Sequence, residues 1–167
     1  MYRLLTETPS DAYEVEMLLD LAFAPGRGAL SSYQLREGVA PIAELCVLMR
    51  DDYDIVVGAI RYWPVRIGAA PALLLGPVAV HPTRQGEGIG AALIGETLER
   101  AAGLGWRIVL LVGDAPYYRR FGFAQAPEGV IFPQPVNVDR VLIRGVGAVY
   151  DLDVQGEVNR WLEINRS

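Results

Sequence analysis

Two stretches of the chain carry residue types that do chemistry when spaced as they are. The first runs Val78-Ala79-Val80-His81-Pro82-Thr83-Arg84-Gln85-Gly86-Glu87-Gly88-Ile89-Gly90-Ala91. It reads as a strand that feeds a glycine-rich loop opening a helix. The free N–H groups at a helix start, together with its dipole, form an anion site. Glycines let that backbone approach a phosphate closely. The chemistry expected is pyrophosphate binding; the plain alternative is a tight helix start with packing glycines. The second stretch is Asp114-Ala115-Pro116-Tyr117-Tyr118. A phenol stays protonated at neutral pH and can donate a proton, and a carboxylate can accept one. The single Cys46 and the single His81 support neither a disulfide nor a Cys/His metal site, and no metal is expected.

The basic residues narrow the choice. All 15 are arginine, and lysine is absent. That excludes Schiff-base catalysis, the lysine-dependent phosphate loop and the kinase strand lysine, because arginine does not give up its proton. Any bound anion is left to arginines and backbone amides. The 167 residues match one domain, taken as 1–167, with a substantial core. At 51% hydrophobic and 21% charged the composition is that of a globular chain. A formal charge of −5 argues against nucleic acid as a partner. The first residues lack the apolar core of a signal peptide. The apolar run Ile67 to Val80 is too short and too rich in Pro and Gly to span a bilayer. A cytoplasmic protein without membrane contacts is expected.

These groups must be positioned by elements that the patterning also predicts. Residues 2–7 read as a strand. Asp11 and Glu14 fit a capping box, followed by a helix with Val15, Leu18, Leu19 and Ala22 inward. The segment Pro25 to Gly28 ends that helix, and a short one follows from Ser31 or Ser32 to Glu37, closed by Gly38. Residues 43–50 and 54–66 form an antiparallel hairpin, and Leu73 to Val80 adds a third strand. Pro77 removes a ladder donor there, which implies an edge, a bulge or a splayed partner. A helix from Gly88 to Ala102 turns Ile89, Leu93, Ile94, Leu98 and Ala101 inward. A buried strand spans Arg107 to Val112, and a helical turn spans Ala115 to Phe121. A strand starts at Gly122-Phe123, another covers Val141 to Arg144, and the tail 155–164 reads as a helix. Together these elements make an α/β chain without internal repeats.

Two ligand families fit the glycine loop. Gly86-x-Gly88-x-x-Ala91 matches the dinucleotide fingerprint, with Asp114 after the next strand. Against it, four residues separate the loop from the strand end, and an antiparallel meander precedes it. The second family accounts for more. Gln85-x-x-Gly88-x-Gly90 after a V-x-V-H-P strand end, then Tyr118 four residues before Gly122-Phe123, resembles the GNAT superfamily of acetyl-CoA-dependent N-acetyltransferases over about residues 70–124. That resemblance implies a mixed, largely antiparallel central sheet with a parallel, splayed strand pair and flanking helices. It implies acetyl-CoA as acyl donor. Amides of the loop Gln85, Gly86, Glu87, Gly88, Ile89, Gly90 and Ala91 would hold the pyrophosphate, and the strand Val78, Ala79, Val80 would guide the pantetheine arm. Tyr118 aligns with the family's general acid.

The base is less defined. Many family members carry a glutamate on the strand before the loop, whereas here no acidic residue lies between Ile55 and Gly86. Asp114 is the first choice, ahead of Glu44, Glu37, His81 or a water chain; it can equally cap the helix bearing Tyr118. Arg84, Arg119 and Arg120 are candidates to approach cofactor phosphates, with a solvated surface charge the alternative for each. Arg27, Tyr33, Arg36 and Arg61-Tyr62-Trp63 are offered for the acceptor pocket. Cys46, in an apolar strand, reads as packing. The function implied is direct acetyl transfer to a small-molecule or peptide amine, by a chain that is free to form a homodimer. A non-catalytic acyl-CoA-binding module on the same fold is the alternative, and a nicotinamide or flavin binder the third.

Overall fold

The computed structural model describes residues 1–23, 31–147 and 152–161. The described residues form nine strands: β1 Arg3–Thr6, β2 Val47–Arg50, β3 Val56–Ile67, β4 Ala70–Val80, β5 Ile108–Val112, β6 Ala124–Gln125, β7 Val130–Ile131, β8 Val141–Gly145 and β9 Gly156–Arg160. Four helices accompany them: α1 Ala12–Ala22, α2 Ser31–Gln34, α3 Ile89–Gly103 and α4 Ala115–Arg119. The sheet order is β1-β2-β3-β4-β5-β8-β6. Only β4 and β5 run parallel within that order; the other neighbours are antiparallel. The expected mixed, largely antiparallel architecture is therefore present.

Strand alternation divides the core into two layers. On one face Leu73, Leu75, Val109 and Leu111 pack with the inward row of α3, Ile89, Leu93, Ile94, Leu98 and Ala101, which is the expected row. On the other face Leu48, Ala59 and Ala79 meet Val15, Leu18 and Leu19 of α1. Thr97 sits in the α3 layer fully buried, its hydroxyl 2.7 Å from Tyr62 Oη and donating to the Leu93 carbonyl at 2.7 Å. Two arginines tie α1 to the sheet. Arg50 pairs with Asp11 at 2.8 Å and Glu14 at 3.0 Å. Arg61 pairs with Glu7 and Glu16, each at 2.7 Å.

Several local expectations are corrected. The first strand covers 3–6, and residues 43–45 form a 3₁₀ turn ahead of β2. The Asp11 carboxylate caps backwards, accepting from the Thr8 N–H at 2.8 Å, so the start signal is Thr8 with Asp11; Glu14 is engaged by Arg50. The tail expected as a helix instead forms β9 through residue 160, antiparallel to the end of β3 and parallel to β7. Only Val158 of β9 is buried, so its apolar pattern is too thin to announce an edge strand. The helix-ending segment Pro25 to Gly28 and residues 162–164 of the expected tail helix lie outside the described residues. No helix among the described residues is long and apolar enough to cross a membrane.

Candidate functional site

The site begins with a fault in the sheet. β3 and β4 shift register between Ile60↔Val78 and Tyr62↔Leu75, so Gly76 and Pro77 together face Arg61. Pro77 has no N–H to give the ladder, and the extra residue bends the strand. Beyond that point β4 leaves β5: their parallel pairing is limited to Leu73↔Val109 and Leu74↔Leu110. The ends Leu75–Val80 and Leu111–Val112 diverge, and a cleft of about 250 Å³ opens between them. Of the strand residues expected to guide a pantetheine arm, Val78 and Val80 are half-buried on the α3 side of the sheet, whereas Ala79 buries its side chain against α1. Ala79 therefore offers the cleft only its backbone.

The glycine loop lies at the far end of β4. Gly86 and Gly88 have φ of 82° and 81°, a backbone conformation that suits glycine, and a side chain at either position would meet nothing within 4 Å. Gly88 is the N-cap of α3. Among the described residues no protein group accepts a hydrogen bond from the N–H groups of Gly86 through Ala91. Open space above a row of unpaired amides at the positive end of a 15-residue helix fits a pyrophosphate. Gln85 donates back to the Val80 carbonyl at 3.3 Å, Glu87 accepts from the Tyr2 hydroxyl, and Ile89 is core. These three residues thus offer the loop their backbone and use their side chains for its shape. Arg84 is held by Asp51 at 3.0 Å, and Arg120 folds over the Tyr117 ring at 4.5 Å. Arg119 is exposed.

Tyr117 and Tyr118 are neighbours on α4 with rings edge-on at 5.0 Å, yet they turn toward different groups. Tyr117 turns toward the start of α3, where its hydroxyl lies 3.0 Å from the point a Gly90 side chain would occupy. Tyr118 lines the cleft. Its ring rests on Gly113 so closely that a Cβ there would stand 2.5 Å from Cε2, and it packs edge-on against Phe123 at 6.0 Å. No hydrogen bond among the described residues engages its hydroxyl. Burial, with Tyr117 and Asp114 adding to it and Arg140 opposing, pushes its pKa up to about 12. The phenol is therefore protonated throughout the neutral range.

The structure also sorts the possible bases. Asp114 is exposed, lines the same cleft as Tyr118, and makes no side-chain cap to α4. Glu37 and Glu44 are exposed and do not line the cleft. His81 lies in a different groove beside α1, and its Nδ1 lies 2.8 Å from the Thr83 hydroxyl and accepts from the Thr83 N–H at 3.2 Å. Cys46 is buried, donates to the Ile42 carbonyl, and burial pushes its thiol up to about 11; it is packing. Of the acceptor residues, Tyr33 and Arg36 line the cleft, and Trp63 donates to the Gly76 carbonyl at 2.7 Å. Arg61 is consumed by its two carboxylates and Tyr62 is fully buried. Arg27 lies outside the described residues. Arg140, which no sequence signal indicated, also lines the cleft; Gly113 N–H donates to its carbonyl at 2.9 Å and draws the two segments together.

Comparison with known proteins follows the same lines. Residues 42–125 match the family model described as an acetyltransferase (GNAT) domain. The uncharacterized N-acetyltransferase YhbS of Escherichia coli (strain K12) is 30% identical over 122 residues, 72% of each chain. The crystal structure of YhbS from Escherichia coli in complex with CoA superposes with a TM-score of 0.80 at 25% identity, over 99% of this chain and 92% of that one. A GNAT family acetyltransferase from Brucella melitensis in complex with acetyl-CoA superposes at 0.73 with 31% identity, over 98% of both. With a splayed β4–β5 pair, a glycine loop of free amides and a matching family model, the chain belongs to the GNAT family of N-acetyltransferases.

Proposed function

We propose that the protein transfers the acetyl group of acetyl-CoA directly to an amine. The observation that carries this reading is the cleft itself. It is open where β4 and β5 part, it has the unpaired phenol of Tyr118 and the carboxylate of Asp114 on its wall, and β4 runs from it toward the loop with the unpaired amides of Gly86 to Ala91. The CoA and acetyl-CoA complexes of the two similar structures support the donor.

In this reading acetyl-CoA brings an activated thioester, and the chain supplies position and proton handling. The amides of Gly86 to Ala91 hold the pyrophosphate without a cation, consistent with a chain that has no lysine. Backbone groups of Val78 to Val80, freed from β5, guide the pantetheine arm and polarise the carbonyl oxygen. Asp114 takes the proton that the amine must lose before it attacks, directly or through water. A C–N bond forms and the C–S bond breaks, and Tyr118 donates its proton to the departing sulfur. With a thiol reference near about 8.5, the thiolate cannot hold the proton of a phenol at about 12 unaided. Donation by Tyr118 is therefore coupled to loss of a second proton, the one the nitrogen sheds once the C–N bond has formed, and that proton restores the phenol. No cysteine relay is needed, in keeping with the buried Cys46.

The test is thiol release from acetyl-CoA across a panel of amines, with acetylated product identified by mass. Amine-dependent release supports the enzyme. Tight CoA binding with no transfer to any amine would favour the binding-module reading instead.

A further inference from the structure

Arg36 is the anomaly of the cleft. It follows α2 in a turn closed by its own N–H to the Tyr33 carbonyl at 3.0 Å. Its guanidinium carbon lies 3.9 Å over the Tyr33 ring and 5.5 Å from the Trp63 ring. Its Nε is shut off from solvent and has no hydrogen-bond partner. Among the described residues no carboxylate comes within ion-pair distance of it, whereas Arg50 and Arg61 each hold two at 3.0 Å or less. Burial, only partly offset by Tyr33, draws its pKa down to about 10, so it remains charged at neutral pH.

A half-buried cation whose Nε is shut off from solvent without an acceptor is unfavourable, and a fork of five donors wants acceptors. Aromatic faces stabilise the charge but cannot accept along the fork. A planar carboxylate can, through two parallel hydrogen bonds. The cleft carries the complementary sign as well, because Asp114 lines it and suits an ammonium group. Arg140, exposed on the same lining, adds a second cation. At about 250 Å³ the space lies just below the usual range of drug-sized ligand sites, which suits a small acceptor.

We propose that the acceptor is a small amino carboxylate, whose carboxylate is bound by Arg36 while its amine faces Asp114. The inference rests on the acetyltransferase reading above and narrows its substrate class. Tyr33 and Trp63 hold the plane of the guanidinium, and the Trp63 bond to Gly76 ties that plane to the bulge beside the transfer point.

Thermal unfolding of the full chain with saturating CoA tests it, using the twenty L-amino acids and the matching carboxamides as probes. At least one amino acid raises Tm and its carboxamide, which has the same shape without the charge, does not. In Arg36→Met that shift disappears; in Arg36→Lys, which keeps the charge and loses the fork, part of it returns. Arg36→Met by itself keeps or raises the Tm without ligand, because it removes a half-buried charge that has no counter-ion, so a folding defect is told apart from lost binding. In steady state the wild-type preference for acid over amide is about 10–100-fold, and in Arg36→Met it falls to about twofold or less. Equal shifts by acid and amide, or no shift by any amino acid while CoA itself stabilises the chain, would overturn the assignment. If CoA itself fails to stabilise the chain, the acetyltransferase reading falls, and the acceptor assignment with it.

Discussion

Tyr118→Phe is the sharpest probe of the proposed chemistry, because the structure lets the hydroxyl be removed almost alone. The ring packs on Gly113, Tyr117 and Phe123, and all of those contacts survive in phenylalanine. The hydroxyl has no protein hydrogen bond to lose, so stability should change by less than about 1 kcal/mol. A positioned general acid contributes about 10²–10⁴-fold, so kcat should drop by that factor, or about 3–5 kcal/mol of barrier. Affinity for CoA should stay within about twofold, since the pyrophosphate loop is untouched. The assay is thiol release under acetyl-CoA saturation, paired with CoA titration and thermal unfolding of both proteins. A variant with wild-type kcat removes Tyr118 from the proton path. A variant whose kcat is unchanged but whose CoA affinity falls would make the tyrosine a packing wall for the donor.

The remaining predictions act on other parts of the same argument. Asp114→Asn should lower kcat/KM at neutral pH by about 10–100-fold and recover as pH rises and free amine accumulates, read from a pH–rate profile. Gly88→Ala meets no neighbouring atom but forces φ of 81° on an alanine and fills the open space above the amides. It should cost about 1–2 kcal/mol of stability and raise the acetyl-CoA KM more than it lowers kcat. Burial raises the folded pKa of Tyr118 to about 12 and that of Tyr62 further. The unfolded phenols titrate near about 10, so their contribution to stability is fully present below that pH and is lost as pH rises through about 10 to 12. Denaturant melts at pH 8 and pH 11 check the sign, and Tyr118→Phe should soften the alkaline loss.

Features set by neighbours along the chain were readable in advance. The inward row of α3 follows from a 3.6-residue period, and all five expected residues are buried. The consequence of Pro77 followed from its missing N–H, and the register shift and the short β4–β5 pairing are what it predicts. Tyr118 and Tyr117 were separable by helical pitch. Features that depend on distant partners were not readable. Arg36 and Arg61 are both candidate acceptor residues by sequence, yet Arg61 meets Glu7 and Glu16, whereas Arg36 meets the Tyr33 and Trp63 rings and, among the described residues, no carboxylate. Arg140 joins the cleft because β8 pairs with β5, a contact without any local signature. The strand β9 exists because β3 outruns β2 and leaves an edge to be paired.

The amino-acid sequence by itself determined that the chain is an α/β protein, that any bound anion is left to amides and arginines rather than lysine, and that a glycine loop and a tyrosine turn follow one another at acetyltransferase spacing. Those properties reside in composition, in periodicity and in the conformational freedom of glycine and proline, all of which act over a few residues. Only the tertiary structure decided which arginines are neutralised, and that Arg36, half-buried in the cleft, meets no carboxylate among the described residues. The pairing of charges depends on the three-dimensional distance between side chains, and the favourable energy of a guanidinium and a carboxylate is gone once they are buried apart.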